Sequence, residues 1–211
     1  MINVYKIFKS IVLFGSGGHC KSCIEIIENL EKYKIKGIID KNKNIEDVCM
    51  GYKILGSDKE LKYLISKNDY GLVCVGQIKS PNIRKKLFNL LENESIKIAT
   101  VKSKSSIISN NTIIKKGTIV MNNSIINTAV EIGFNCIINT GCIIEHDSTI
   151  GDHCHISTGA IINGNVKIGS ESFIGSGSII REGVKIGEKV VISAGEKVMK
   201  DIPPNTIYKN F

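Results

Sequence analysis

Every sixth residue from Ile108 to Ile192 is an isoleucine, except for a valine at position 120, and Val198 extends the series. Four residues after each of these positions comes a small or β-branched residue, until Glu196 breaks this second register. A period of six fits neither the 3.6-residue period of a helix nor the alternation of a simple strand. It predicts a parallel β-helix with three flat faces and about 18 residues per coil.

The two registers have a physical explanation in such a rod. The aliphatic side chain of each short strand points inward, and the small residue lies near a corner where bulk would clash. Coils stack about 4.8 Å apart, so residues 18 positions apart become neighbours. The unbroken phase leaves no room for a loop inserted within about five coils. The alternative, an amphipathic sandwich, would require this spacing to arise by coincidence.

The hexads also carry a family resemblance. The segment 150–187, IGDHCHISTGAIINGNVKIGSESFIGSGSIIREGVKIG, is similar to the hexapeptide-repeat acyltransferases. That family forms left-handed β-helices and acts as trimers. The resemblance therefore implies a left-handed rod and a homotrimer, because left-handed coils run against the usual crossover preference and the period alone does not set the hand.

The hexads occupy only the second half of the 211 residues. We expect an α/β, Rossmann-like domain over 1–104, the β-helix over 105–200 and a C-terminal tail over 201–211. No apolar run reaches the length of a membrane span. The apolar patch near the N-terminus runs directly into a glycine loop, which predicts a first strand rather than a signal peptide. The sequence favours a cytoplasmic protein.

The net charge of +8 raises the question of nucleic-acid binding. Only Arg84 and Arg181 are arginine, and the remaining basic residues are lysines scattered along the chain. Arginine is the preferred residue for bidentate recognition of bases and phosphates. Diffuse lysine is more typical of a solvated surface and would also suit small polyanions such as nucleotides or coenzyme A. We therefore expect no nucleic-acid partner.

The seven cysteines form no disulfide pattern. Cys136, Cys142 and Cys154 fall in the small-residue register, where we expect buried thiols. Cys20 and Cys23 form a C-x-x-C pair on a predicted helix. This pair could be a redox motif or half of a zinc site, but no second C-x-x-C exists, and helix packing is favoured.

The first half of the chain alternates strands and helices, which predicts a small open parallel sheet. The predicted elements are a strand over 10–14, a helix over 19–33, a strand over 36–40, a strand over 71–76 and a helix over 80–92.

A glycine turn, Gly15-Ser-Gly-Gly18, joins the first strand to the first helix. It matches G-x-G, but Cys20 stands where the dinucleotide fingerprint has its third glycine. A glycine turn at a helix N-terminus can still place backbone N–H groups against a phosphate. Asp40, at the end of the next strand, could accept a hydrogen bond from a ribose or a base. The alternative is a tight turn that binds no ligand.

The segment GSGGHCKSCIEII resembles the opening of the sugar acetyltransferases of the sialic-acid and bacillosamine pathways, whose N-terminal domain holds a nucleotide sugar. The stretch Gly76-Gln-Ile-Lys-Ser-Pro-Asn-Ile-Arg84 is similar to the segment after the third strand in these enzymes. The C-terminus, from Pro203 to Phe211, departs from the family. The resemblance implies these substrate-binding residues: Gly15, Ser16, Gly17, Gly18, His19, Asp40, Gly76 and Gln77.

Three of the four histidines, His146, His153 and His155, lie within one coil. His146 has an acid on each side, Glu145 and Asp147. A metal site is one alternative, since His-x-His and an aspartate could supply ligands, but no fourth position is obvious. A surface cluster without a function is another. Acyl transfer requires a base, and a histidine oriented by a carboxylate suits that role.

The family motif assigns roles to this coil. By resemblance, His146 is the general base, Asp147 is its acidic partner, and His155 lies near the thioester end of coenzyme A. Gly164 is one coil after His146, so stacking also predicts that its N–H faces the thioester carbonyl. The implied acetyl-CoA-binding residues are His155, Gly164, Gly175 and Gly195. No serine or cysteine nucleophile is indicated, so we expect direct attack in a ternary complex without a metal.

The acceptor is open at this point. We expect acetyl-CoA as co-substrate and the C4 amine of a nucleotide-linked amino-dideoxy sugar as acceptor, with UDP as the favoured nucleotide. O-acetylation of sialic acid or a related nonulosonate is the alternative, and the Gln77-Ile-Lys-Ser-Pro81 stretch favours it. A non-catalytic scaffold that binds nucleotide sugars is a third reading, against which the His146–Asp147 pair argues.

Overall fold

The computed structural model describes residues 8–209. The outermost parts of the first predicted domain and of the predicted tail, residues 1–7 and 210–211, lie outside the described residues. The chain divides into two compact units. The first comprises Met1–Gly76 and Asn89–Ala99, and the second comprises Gln77–Phe88 and Thr100–Phe211.

The first unit is built on a six-stranded sheet of order β3-β4-β2-β1-β5-β6. All neighbours are parallel except β3 and β4, which are antiparallel. The elements from this part of the chain are β1 (Lys9–Phe14), α1 (Gly18–Leu30), β2 (Tyr33–Ile39), β3 (Val48–Cys49), β4 (Tyr52–Gly56), a 3₁₀ helix (Asp58–Glu60), α2 (Leu61–Leu64), β5 (Tyr70–Val73), α3 (Asn82–Asn93) and β6 (Lys97–Ile98).

The predicted α/β architecture is confirmed, with differences in the element bounds and in the sheet. The strand predicted over 71–76 is β5, which ends at Val73, and the strand predicted over 36–40 is β2, which begins at Tyr33. Helix α1 ends at Leu30 and not at Tyr33, because Glu31 adopts a left-handed conformation (φ 51°) and Tyr33 already belongs to β2. The ring of Tyr33 is buried edge-on against Tyr70, 5.7 Å between centroids. The hairpin of β3 and β4 makes the sheet mixed rather than purely parallel, and its two-residue first strand carries too weak a pattern to be predicted.

The second unit is the predicted parallel β-helix, whose strands pair with the strand three positions along the chain, except that β22 pairs with β24. Its first face contains β7 (Val101–Lys102), β10 (Ile119–Val120), β13 (Ile137–Ile138), β16 (His155–Ile156), β19 (Phe173–Ile174), β22 (Val191–Ile192) and β24 (Ile207–Tyr208). The second contains β8 (Ile107–Ile108), β11 (Ile125–Ile126), β14 (Ile143–Ile144), β17 (Ile161–Ile162), β20 (Ile179–Ile180) and β23 (Lys197–Val198). The third contains β9 (Ile113–Ile114), β12 (Glu131–Ile132), β15 (Thr149–Ile150), β18 (Lys167–Ile168) and β21 (Lys185–Ile186).

Both sequence registers have a place in the rod. The sixth-residue aliphatic side chains from Val120 to Val198 form the buried core of the left-handed β-helix. Hydroxyl and thiol groups of the small register donate to carbonyls 15 residues further on, as Thr118 does to Gly133 and Cys154 to Gly169. The small residues therefore also tie each corner to the next coil, a function that the sequence pattern alone did not indicate.

A third register places a left-handed residue three positions after each inward aliphatic from Ile114 to Ile192. Glycine and asparagine favour this conformation, but Asp147 (φ 60°) and His153 (φ 57°) adopt it too. The conformation of Asp147 is therefore imposed by its place in the hexad.

The outward residues distinguish the three faces of the rod. On the first, the covered face, Ile119, Ile137, His155 and Phe173 are buried. On the second, the isoleucine face, an outward column of half-buried or exposed isoleucines runs along the rod: Ile107, Ile125, Ile143, Ile161 and Ile179. The third, the polar face, exposes Glu131, Thr149, Lys167 and Lys185.

The segment 77–88 packs within the second unit against the corner that leads into the covered face. The buried Arg84 donates to the side-chain oxygen of Asn135 at 2.9 Å and to its carbonyl at 3.1 Å. Because arginine only donates, Oδ1 of Asn135 accepts, and its Nδ2 must donate to Nδ1 of His153 at 3.1 Å. This network holds His153 in its neutral form.

Burial lowers the pKa of His153, and Lys85 and Arg84 act in the same direction against the opposing charges of Asp152 and Glu171. The pKa of His153 in the folded protein lies below its value in the unfolded chain. The stabilisation of the fold by the neutral ring is therefore present above about pH 6.5 and is lost as the pH falls below it. We expect the thermal midpoint of wild type to fall by about 2–4 °C more than that of His153→Asn between pH 7 and pH 5, measured by circular dichroism. Equal changes in both proteins would contradict this.

All seven cysteines are buried thiols that form no disulfide within the described residues. Within residues 8–209, no helix has both the length and the apolar character needed to cross a membrane.

Candidate active site

His146 lies at the corner that follows β14, on the edge of the isoleucine face. Its Nδ1 is 2.8 Å from Oδ2 of Asp147, and both side chains are exposed, by 54% and 62%. A carboxylate only accepts hydrogen bonds, so Nδ1 carries the proton and Nε2 carries the lone pair. The corner thus presents a basic nitrogen to solvent with its tautomer fixed.

Electrostatics strengthen this base. The hydrogen bond to Asp147 is the main cause that raises the pKa of His146; partial desolvation opposes it, and the charges of Asp147, Glu145 and Glu182 reinforce it. A raised pKa makes the imidazole a better proton acceptor, as general base catalysis requires.

Gly164 stacks directly on this imidazole, one coil further along the rod. A Cβ atom at position 164 would lie 2.8 Å from Cε1 and 2.9 Å from Nε2 of His146. Its φ is outside the left-handed region, so the close approach of the ring, and not the backbone conformation, requires glycine here. Within residues 8–209, the N–H of Gly164 has no acceptor. A free donor therefore lies beside a free base.

His155, on β16, has a different environment. It is 7% exposed, and its Nδ1 lies 2.5 Å from the carbonyl of Gln77, which fixes Nδ1 as the donor. The backbone N–H of Thr140 occupies Oδ1 of Asn139, so Nδ2 of Asn139 donates to Nε2 of His155 at 3.0 Å. Both ring nitrogens of this neutral histidine are engaged within the chain.

The three histidines share a coil but not a site. His146 lies at the corner after the isoleucine face, His153 at the corner before the covered face, and His155 on that face. Among residues 8–209, no group of three or more histidine, cysteine, aspartate or glutamate side chains has the arrangement of a metal site.

The glycine turn contains glycines of two kinds. Gly15 has a φ of 98°, and a Cβ there would lie 2.5 Å from Cγ2 of Val75, so both conformation and packing require glycine. Gly17 and Gly18 have ordinary φ values, and a Cβ at either position would meet no atom within 4 Å. The fold does not require these two glycines. They leave exposed backbone at the N-terminus of α1, where an anion can approach closely.

Asp40 holds the turn in place. Its Oδ2 accepts from the N–H and hydroxyl of Ser16, at 2.8 and 2.7 Å, and its Oδ1 accepts from the N–H of Asn42 at 2.9 Å. Burial acts to raise the pKa of Asp40, but the hydrogen bonds from Ser16 and Asn42 outweigh it and lower the pKa. The carboxylate is therefore charged and already occupied by the turn.

A polar pocket of about 330 Å³ opens beside the turn. Its lining comprises Ser16, Lys21, Lys43, Asp47, Val48, Cys49, Met50 and Ile54. The β3–β4 hairpin supplies part of this wall, and the two lysines make the pocket suitable for an anion. Sequence reasoning missed both lysines, although Lys21 follows the turn and Lys43 follows Asp40 closely.

The remaining predicted residues are dispersed. His19 lies beside the exposed Gly76 in the first unit, with its Nε2 buried and without a partner in the described residues. Gln77 belongs to the second unit, where its Nε2 donates to the carbonyl of His153 at 2.9 Å. Gly175 packs against the next coil, since a Cβ would lie 2.5 Å from the nitrogen of Ala194. Gly195 is in a left-handed, open position (φ 75°).

Comparisons with known proteins agree with this architecture. Residues 10–91 match the PglD N-terminal domain, residues 129–164 match the bacterial transferase hexapeptide (six repeats), and residues 165–196 match the hexapeptide repeat of succinyl-transferase. A search of curated protein sequences found no match.

Solved structures extend the likeness over nearly the whole chain. The acetyltransferase domain of PglB from Neisseria gonorrhoeae is 26% identical, with 94% of this chain and 95% of that chain covered and a TM-score of 0.86. PerB from Caulobacter crescentus, in complex with CoA and GDP-perosamine, is 27% identical, with 92% and 91% covered and a TM-score of 0.86. WeeI from Acinetobacter baumannii, at 23% identity with 93% and 94% covered and a TM-score of 0.84, supports the fold.

The domain matches and the coverage of both chains agree with one another. The chain combines a PglD N-terminal domain with transferase hexapeptide repeats, and over nearly its whole length it is similar to sugar acetyltransferases of the hexapeptide-repeat type.

Proposed function

We propose that the protein is a cytoplasmic enzyme that transfers an acetyl group from acetyl-CoA to the C4 amine of a nucleotide-linked amino-dideoxy sugar, with UDP as the favoured nucleotide. One observation carries the proposal: the free Nε2 of His146 lies against Gly164, whose N–H is unpaired in the described chain. A base and an oxyanion donor side by side are the two groups that acyl transfer needs. Complexes of PerB with CoA and GDP-perosamine support the substrate class.

In the proposed reaction, the sugar amine attacks the thioester carbonyl carbon while Nε2 of His146 takes a proton from the nitrogen. The N–H of Gly164 stabilises the oxyanion of the tetrahedral intermediate. The C–S bond then breaks, the amide is released, and the proton on His146 passes to the departing thiolate of coenzyme A. Asp147 keeps Nδ1 protonated and stabilises the imidazolium. The proton taken from the amine thus reaches the thiolate without the help of a further residue.

The sugar nucleotide is proposed to bind in the first unit. The exposed backbone of Gly17 and Gly18 and the amino groups of Lys21 and Lys43 would hold the diphosphate, and the pocket walls would hold the nucleoside. Asp40 supports this site indirectly by fixing Ser16. Gly15, His19 and Gly76, which belong to the same unit, remain proposed substrate contacts, and Gln77 remains a proposed substrate contact in the second unit.

For acetyl-CoA, the proposed contacts are His155, Gly164, Gly175 and Gly195. Gly164 would act through its N–H, whereas His155, engaged on both ring nitrogens, would contribute shape and not a hydrogen bond. Gly175 would keep the rod surface flat, because packing excludes any side chain there.

We further propose a homotrimer. Of the three faces of the rod, the chain itself covers one, charged residues occupy another, and only the isoleucine face presents a continuous apolar column. Apolar surfaces of this kind mark subunit contacts. His146 borders this face, so a neighbouring subunit would complete the groove for coenzyme A.

The identity of the acceptor is tested with a panel of candidate substrates. Thiol release from acetyl-CoA is measured with UDP- and GDP-linked 4-amino sugars and with free sialic acids. The proposal expects turnover only with the amino sugars. Turnover with sialic acid alone would establish the O-acetyltransferase alternative, and binding of a nucleotide sugar without any thiol release would establish the scaffold.

The glycine turn gives a separate prediction. Gly17→Val adds bulk where no protein atom lies within 4 Å, so the fold is expected to tolerate it. It should raise the KM for the sugar nucleotide about tenfold or more and leave the KM for acetyl-CoA unchanged, by blocking close approach of the phosphates. Gly51→Asn, at a left-handed and equally open position outside the proposed site, is the matched control. Equal effects of Gly17→Val on both substrates would indicate a purely structural turn.

A further inference from the structure

Residues of successive coils stack above His146 at one corner of the rod. Strands β14, β17 and β20 pair in strict register, so His146, Gly164 and Glu182 occupy the same place at three successive corners. Gly164 contributes no side chain to this stack. No side chain therefore separates Glu182 from the imidazole of His146, although the two residues are 36 positions apart in the sequence.

A second carboxylate approaches the base from its own coil. Glu145 immediately precedes His146, and its Oε2 accepts from Nδ2 of Asn127 at 2.7 Å. That bond to the preceding coil restricts the position of the carboxylate. Asp147 alone orients the ring, so Glu145 and Glu182 are two acids that the tautomer of His146 does not require.

Negatively charged side chains predominate around His146. Three carboxylates, those of Glu145, Asp147 and Glu182, act on His146 and raise its pKa together with the hydrogen bond that His146 donates to Asp147. Arg181 is the cation of the corner two coils away, and it stacks over Asn163 rather than over Gly164. A ligand in the gap above the imidazole therefore meets a negative field.

We propose that Glu145 and Glu182 are specificity-determining residues that favour an acceptor arriving as an ammonium ion and exclude one that carries a carboxylate. This inference rests on the proposed acetyl transfer at His146. A primary amine is largely protonated near neutral pH, so the carboxylates of Glu145 and Glu182 beside His146 increase its local concentration. A nonulosonic acid carries a negative charge that the same two carboxylates repel.

The proton balance of the reaction is consistent with this role. The ammonium gives one proton to Nε2 of His146, which passes it to solvent, and the neutral amine then attacks the thioester. The second proton leaves the nitrogen as the C–N bond forms and reaches the thiolate as the C–S bond breaks. The products are the amide, the free thiol and one proton released to solvent.

The test compares Glu182→Gln and Glu145→Gln with Glu131→Gln, an exposed control on the polar face. For the amino-sugar acceptor, each site variant should raise KM about 3–5-fold with kcat within about twofold, and the double variant about 10–20-fold. The wild-type KM should rise with ionic strength, and the double variant should lose much of that dependence. A merely structural role would not change the salt dependence.

Two readouts need no turnover. Calorimetric binding of the amino-sugar nucleotide at low and high salt should show the same loss, and the NMR titration of His146 should move to lower pH in both site variants but not in the control. The proposed function fails if no acceptor amine is acetylated. The present inference fails separately if the double variant keeps wild-type affinity and salt dependence for the amine, or if the titration of His146 does not move.

Discussion

Replacing His146 with alanine is expected to lower kcat by about 10²–10⁴-fold, the usual contribution of a positioned general base. The thermal midpoint should stay within about 1 °C of wild type, because the imidazole is half exposed and its one hydrogen bond goes to the equally exposed Asp147. Single-turnover measurement of thiol release, with both substrates saturating, isolates the chemical step from binding.

The controls for this variant separate chemistry from structure. Exogenous imidazole should restore part of the lost activity in His146→Ala, because the alanine leaves a space beside Gly164. In wild type, kcat/KM should fall as the pH drops through the raised pKa of His146, since protonation removes the base. Turnover of His146→Ala near the wild-type value would eliminate His146 as the base, whatever the effect of pH.

How much of the fold the sequence could predict depends on the strength of its periodicity. The six-residue spacing predicted the rod, its inward column and the stacking of residues 18 positions apart, because each coil repeats the same packing problem. The β3–β4 hairpin escaped prediction, since strands of two to five residues without regular alternation carry no comparable signal. The end of α1 was misplaced because the apolar pattern continued into β2 through Tyr33.

The candidate site, like the fold, could be predicted only in part from the sequence. The stacking of Gly164 over His146 followed from the coil length, and the structure places the two groups in contact. The engagement of His155 with Gln77 could not be predicted, because it joins residues 78 positions apart through a contact with no local signature. Lys21 and Lys43 were overlooked for a different reason: in a chain with scattered lysines, composition does not distinguish a pocket lysine from a solvated one.

The isoleucine face provides the second large effect. A charge at Ile143, the outward residue of β14, would have to be buried unpaired if this face is a subunit contact. We expect Ile143→Glu to convert the proposed trimer to monomers and to reduce acetyl transfer below detection, since the proposed coenzyme groove needs two chains. Analytical ultracentrifugation measures the assembly, and calorimetry measures coenzyme binding.

The matched control lies in the same coil. Thr149→Glu places the same charge on the polar face, where the side chain is exposed, and should leave both assembly and activity unchanged. Ile144 and the other inward residues are intact in Ile143→Glu, so the hydrogen bonds and aliphatic core of each rod should preserve the β-rich circular dichroism. A folded monomer that still acetylates at the wild-type rate would show that one chain holds the complete site. A variant that remains trimeric would place the subunit contact on a different surface, because an uncompensated carboxylate in the middle of an apolar column is too costly for a contact to retain.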